Sequence, residues 1–179
     1  MSKRVPSKGK AHRFGGDWTG LKLDVLGKYL AAYTTALKNQ PFRKIYIDAF
    51  AGTGYRVARN VGEVGPSLVP ELPEEGGRLL DGSARIALKT EPRFDRYIFI
   101  ERDAKRCAEL EALGEEFPDR AAAIDVRQGD ANEVVRELCR GSWQSQRAVL
   151  FLDPYGMNVE WSTIEAIAAT KAIDLWLLF

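Results

Sequence analysis

Four stretches of this 179-residue chain set an acidic residue, or a tight turn carrying one, directly behind a short apolar run. The first is Asp48-Ala49-Phe50-Ala51-Gly52-Thr53-Gly54, which follows Lys44-Ile45-Tyr46-Ile47. Gly52 and Gly54 would let the backbone approach a ligand where a side chain would collide. Glu101 closes Arg96-Tyr97-Ile98-Phe99-Ile100, and its two oxygens suit the vicinal hydroxyls of a ribose. Asp130 ends Gln128-Gly129-Asp130. It either accepts from an adenine amino group, with Ala131 adding a backbone contact, or caps the helix that begins near Asn132. Asp153-Pro154-Tyr155-Gly156 follows Ala148-Val149-Leu150-Phe151-Leu152. There Asp153 and the Pro154 carbonyl can accept hydrogens from an exocyclic amine while Tyr155 stacks on the heterocycle, worth roughly 1–3 kcal/mol. The plainer alternative is a β-turn with proline at its second position.

These residues act together only if their elements bring them to one edge. Leu23, Leu26, Leu30, Tyr33 and Leu37 recur at helical steps, which predicts an amphipathic helix over 21–38 capped by Asp17 or Thr19. Strands are predicted at 44–50, 96–101, 123–127, 148–152 and 173–179, and helices at 84–89 (capped by Asp81-Gly82-Ser83), 104–114, 131–140 and 161–170. Strand and helix alternate, so the expected architecture is a mostly parallel sheet covered on both faces, a three-layer α/β/α Rossmann-like fold. In such a sheet ligands bind at the carboxyl ends of the strands, where all four stretches lie. Residues 55–81 are rich in Gly, Pro and Glu without a clean period and read as an insertion, a lid or substrate-contacting loop. Residues 17–179 then form one domain behind a basic arm over 1–16. The chain stops inside its fifth strand, whereas domains of this type usually carry two more, so it reads as truncated there.

Composition narrows the chemistry further. With 45% hydrophobic and 28% charged residues the chain is an ordinary globular one. No apolar run reaches the roughly 18 residues of a membrane span, and the N-terminus has no secretory apolar core, so a cytoplasmic protein is expected. Cys107, Cys139 and His12 are scattered, which offers neither a disulfide framework nor a zinc site, and no metal is expected. Lys3, Arg4, Lys8, Lys10 and Arg13 stand in the first 13 residues without an acid, and the other 21 basic residues face 25 acids. A basic arm on an acidic body either reaches for phosphates or merely solvates the terminus.

The third glycine of the dinucleotide fingerprint is replaced by Val57, which weakens a nicotinamide reading. The stretch from Asp48 to Gly54 instead resembles the DxFxGxG turn of class I S-adenosylmethionine-dependent methyltransferases. That resemblance implies that Asp48, Ala49, Phe50, Gly52, Gly54, Glu101, Asp130 and Ala131 hold S-adenosylmethionine, with Asp48 near the ammonium of its methionine end. Asp153-Pro154-Tyr155-Gly156 is similar to the DPPY motif of amino-methylating DNA and RNA enzymes, lacking its second proline, and closer to the DPFG of tRNA guanine-N2 dimethyltransferases. It implies Asp153, Pro154 and Tyr155 as catalytic residues acting on a nucleobase amine. No strong base is needed, because placing the nucleophile beside a sulfonium supplies much of the rate.

A narrower resemblance runs through Phe14-Gly15-Gly16-Asp17-Trp18-Thr19, Lys22-Leu23, Tyr46-Ile47-Asp48-Ala49-Phe50-Ala51-Gly52, Asp81-Gly82-Ser83, Phe99-Ile100-Glu101 and Leu152-Asp153-Pro154-Tyr155-Gly156. Together these look like the three-Cys-motif partner protein family (TcmP). It implies a bacterial or phage setting and a neighbouring three-Cys-motif partner protein resembling radical S-adenosylmethionine enzymes. Two expectations follow. One is a methyltransferase acting on a DNA or RNA base, and the other is a non-catalytic module that binds such a partner. A nuclease finds no clustered carboxylate-lysine set.

Overall fold

The most continuous apolar runs in the sequence become the middle of a sheet, because a strand covered on both faces cannot alternate with polar residues. The structure, a computed structural model, describes residues 18–57, 79–154 and 158–178. Its elements in order are α1 (Trp18–Ala36), β1 (Arg43–Asp48), β2 (Tyr55–Val57), β3 (Leu79–Asp81), α2 (Ser83–Lys89), β4 (Arg96–Glu101), α3 (Ala104–Glu111), α4 (Leu113–Glu116), β5 (Ile124–Gln128), α5 (Ala131–Cys139), β6 (Gln146–Leu152), α6 (Trp161–Thr170) and β7 (Ile173–Leu177). Five strands form one sheet in the order β5-β4-β1-β6-β7, and every pairing in it is parallel. β1, β4 and β6 are buried along most of their length, whereas β5 and β7, at the margins, are half-exposed. This is the three-layer α/β/α Rossmann-like fold that the alternation of strands and helices predicts.

The two faces pack differently. On one, Leu23, Leu26 and Leu30 of α1, Ala84, Ala87 and Leu88 of α2 and Leu110 of α3 cover Tyr46, Tyr97, Phe99, Val149 and Phe151. On the other, Ala131 and Val135 of α5 and Ile167 of α6 cover the aliphatic Ile45, Ile47, Ile98, Ile100, Leu150 and Leu152. From β1 the chain steps outward through β4 to β5, then crosses back to β6 and β7, so the strand order reverses between β1 and β6. That crevice is where a ligand is expected in an open parallel sheet.

Several local expectations need correction. Thr19 lies inside α1 and does not cap it, while Asp17 falls outside the described residues. The helix predicted over 104–114 is broken at Ala112 into α3 and α4. The N-cap of α2 is Gly82, which makes no side-chain capping bond. Asp81 instead pairs with Arg85 and Lys89 one and two turns along, and Ser83 turns toward Asp48. The expected parallel sheet is borne out, all five of its strands running parallel, and the antiparallel pairing among the described residues belongs to a separate ribbon of β2 and β3. That ribbon frames the predicted insertion, whose residues 58–78 lie outside the described residues.

Candidate functional site

The glycine turn behind β1 uses its two glycines for different purposes. Both have positive φ, +62° at Gly52 and +74° at Gly54, a conformation that costs other residues roughly 1–2 kcal/mol. A methyl group built on Gly52 would meet nothing within 4 Å among the described residues, so the backbone there faces open space between them. The same group on Gly54 would come within 3.1 Å of Leu113 Cδ1, with Leu110 and Ala84 close behind. Gly52 is thus the position where a ligand can approach, and Gly54 is where the turn packs against the domain.

Glu101 fastens this turn to the end of β4. The Gly52 N–H donates to its Oε2 at 3.1 Å, and the Arg102 and Asp103 N–H groups both donate to Oε1 at 2.9 Å. A carboxylate offers about four acceptor positions. Three are engaged by backbone, which leaves one on Oε2 for a ligand hydroxyl. The Ala51 N–H donates to the Ile100 carbonyl at 3.1 Å, and Gly129 to that of Glu101 at 3.0 Å, so the ends of β1, β4 and β5 are laced together.

Asp48 sits at the floor of the crevice and is fully buried. The Tyr46 hydroxyl donates to its Oδ2 and the Phe50 N–H to its Oδ1, both at 3.3 Å, and Ser83 supplies a further hydrogen bond. Burial pushes the carboxyl up to about 6 against the bonds from Ser83, Phe50 and Tyr46, and the nearby charge of Asp153 raises it too. Asp48 pairs across the sheet with Phe151. Because side chains alternate along a strand, Asp153, two residues on from Phe151, falls on the same face as Asp48. Lys22 of α1 reaches Asp153 from above that face, with Nζ 3.7 Å from Oδ1.

Asp130 caps α5, its Oδ1 accepting from the N–H groups of Asn132 (2.9 Å) and Glu133 (3.3 Å). The capping role is therefore realised, and Ala131 is buried as the first residue of the helix. Asn132, also buried, ties the helix to the segment after β6: its Nδ2 donates to the Asn158 carbonyl, while its Oδ1 accepts from the Glu160 N–H and the Thr163 hydroxyl, all at 2.9 Å. Arg136 adds an ion pair with Glu160.

Asp48, Ala49, Phe50, Gly52, Gly54, Glu101, Asp130, Ala131, Asp153 and Pro154 thus all lie along the carboxyl edge of the sheet or in the turns leaving it. Tyr155 lies outside the described residues. Sequence reasoning missed Lys22, Tyr46, Ser83 and Asn132 as contributors. Tyr46 carried a signal, since it stands two residues before Asp48 on the same strand face. Ser83 and Asn132 carried none, their partners being 35 and 26–31 residues away in the chain.

An open cleft of about 570 Å³ lies elsewhere, at the opposite end of the sheet between Phe42, Lys44, Phe94 and Arg120. Several charges of its wall are already paired, Lys44 with Asp95, and Arg120 with Asp119 and with Glu91 outside the lining. Size alone therefore does not make it the site. Among the described residues no group of three or more His, Cys, Asp or Glu side chains is placed to hold a metal ion. No helix among them is long and apolar enough to cross a membrane.

Fold and site together define a doubly wound α/β domain with a carboxylate-rich ligand edge at its strand-order reversal. No family model matches the chain and no curated protein matches it in sequence. Among solved structures it is similar to protein LPL1258 of Legionella pneumophila str. Philadelphia 1, assigned to DUF519, with a TM-score of 0.62 and 14% identity over 90% of this chain and 67% of that one. A conserved hypothetical protein of Streptococcus pyogenes (TM-score 0.44, 15% identity, 80% and 69% covered) and the candidate methyltransferase yhhF of Escherichia coli (TM-score 0.42, 16% identity, 87% and 62% covered) overlay less well. At 14% identity the likeness to LPL1258 is one of fold.

Proposed function

We propose that this chain binds S-adenosylmethionine along the ends of β1, β4 and β5 and directs its methyl group to an exocyclic amine of a nucleic acid base held at the end of β6. The observation that carries this reading is the meeting of Asp48, Gly52, Glu101 and Asp153 on one edge, at the place where the strand order reverses. The residues fit the cofactor: the backbone at Gly52 faces open space, Glu101 keeps one free acceptor for a ribose hydroxyl, and the edge is acidic, as a cationic ligand requires. Asp130 and Ala131 line the adenine end. S-adenosylmethionine supplies an electrophilic methyl group on a sulfonium. Asp153 and the Pro154 carbonyl accept the amine hydrogens and aim its lone pair, and the proton released afterwards passes to solvent.

Calorimetric titration of S-adenosylmethionine into the full chain tests the reading. Micromolar affinity is expected, falling at least about tenfold, or 1.4 kcal/mol, in Glu101→Ala. A folded chain that binds none would overturn it.

A second reading keeps the resemblance to the TcmP family and makes the domain a docking module for a three-Cys-motif partner protein. It is favoured by Trp161, which opens α6 with 73% of its surface exposed beside the same edge. Trp enrichment is characteristic of interface hot spots.

A further inference from the structure

The contact of Lys22 with Asp153 has no place in the sequence motifs, yet it governs what the end of β6 can accept. Asp153 and Asp48 are two carboxylates close enough for one to raise the pKa of the other. Left alone, such a pair attracts cations, and among amines it favours the alkylammonium ion. An alkylamine such as a lysine side chain is protonated at neutral pH, with a pKa of about 10.4, and has no lone pair to attack a methyl group. The exocyclic amine of a base is neutral, keeps its hydrogen atoms as donors and needs only an acceptor oxygen. Lys22 changes the balance between the two. Its side chain is four-fifths buried, its Nζ lies 3.7 Å from Asp153 Oδ1, and among the described residues it is the one cation in ion-pair range of Asp153. It is held there by its helix, since Leu23 and Leu26, one and four residues further on, are buried in the core.

From this geometry we infer that Lys22 is a specificity-determining residue: it offsets the charge of Asp153 and engages Oδ1, so that the site holds ammonium ions less tightly and leaves Oδ2 to receive a neutral aromatic amine. The inference rests on the reading of Asp153 as the residue that meets the target amine.

Two measurements separate it from that reading. In the first, n-butylammonium chloride is titrated at constant ionic strength into the full wild-type chain, Lys22→Met and Lys22→Arg, and the backbone amide signals of Leu152 and Asp153 are followed by NMR. Lys22→Met is expected to bind the ion at least tenfold more tightly than wild type, and Lys22→Arg to behave as wild type. Equal affinity in all three overturns the inference, whether or not the chain transfers methyl groups. In the second, tritiated S-adenosylmethionine is supplied with mixed-sequence single-stranded DNA and RNA oligonucleotides or with a lysine-rich peptide. Wild type is expected to label oligonucleotide, and Lys22→Met to lose at least tenfold in kcat on it while KM for S-adenosylmethionine stays unchanged and labelling of the peptide rises. A wild-type chain that prefers the peptide overturns the inference. Labelling of neither by wild type overturns the methyltransferase reading and leaves the n-butylammonium result to decide the role of Lys22.

Discussion

The two ends of the parallel sheet handle charge in opposite ways. At the amino ends, acid and base meet side chain to side chain: Lys44 with Asp95 at 3.5 Å, Arg96 with Asp125 at 2.5 Å, and Arg120 with Glu91 and Asp119. Of the four acids proposed for the site at the carboxyl ends, Asp48, Glu101 and Asp130 are satisfied by backbone N–H groups and hydroxyls, and Asp153 alone of the four has an ion-pair partner among the described residues. Hydrogen bonds of that kind fix a carboxylate in place without cancelling its charge. At the amino end the named acids and bases offset one another in pairs, whereas at the carboxyl end the carboxylates are held mainly by hydrogen bonds. On the proposed reading a cationic cofactor is drawn to the carboxyl end, although an open cleft of about 570 Å³ lies at the amino end.

The largest way to break this comparison is to remove the target-side acid. Asp153→Ala is expected to lower methyl transfer to oligonucleotides by at least about 100-fold, since loss of positioning alone can cost that much. Its affinity for S-adenosylmethionine, measured by calorimetry, should stay within about threefold, because the loss of positioning falls on the transfer step.

The glycines sharpen the comparison within the site itself. Gly54→Ala combines a left-handed φ with a 3.1 Å clash, so urea unfolding should show a loss of about 2–4 kcal/mol. Gly52→Ala should lose about 1–2 kcal/mol, from backbone conformation alone, while weakening cofactor binding.

The buried carboxyl of Asp48 makes the ligand end costly to fold. Its pKa rises from 3.8 to about 6 in the folded chain. The folded state therefore holds a proton that the unfolded state has released, and stability falls as pH climbs through that window and stays lower above it. Asp48→Asn is expected to stabilise the chain by roughly 2–3 kcal/mol at pH 8, with the gain shrinking toward pH 4 in thermal or urea unfolding. The same variant should bind S-adenosylmethionine more weakly. A destabilising Asp48→Asn would mean that its hydrogen bonds outweigh its desolvation.

The smallest effect is expected at the other end. Lys44→Met removes a pair whose acid is 43% exposed, and it should cost no more than about 1 kcal/mol with no change in cofactor affinity.

Much of the frame was legible in the sequence. The runs at 44–50, 96–101 and 148–152 were continuous enough to announce buried strands, and α6 falls on its predicted range of 161–170. Helix ends were less legible. Thr19, Asp81 and Ser83 all have capping chemistry, but each was overruled, Thr19 by a helix that starts earlier and the other two by partners elsewhere in the fold. Asp130 had two readings at the sequence level, and its capping bonds to Asn132 and Glu133 show that one of them holds in the folded chain.

The sequence by itself determined that strands and helices alternate, that acids and glycines follow the strands, and that those residues would therefore gather at the carboxyl edge. Periodicity and chain order are local properties, and a strand cannot hide which of its ends carries the aspartate. Only the tertiary structure decided that β1 neighbours β6, that Asp48 is buried beneath Asp153, that Gly52 faces open space while Gly54 packs on Leu113, and that a lysine 131 residues before Asp153 in the chain offsets its charge. Those facts depend on which elements pack side by side, and strand order leaves no local trace in the residues that it brings together.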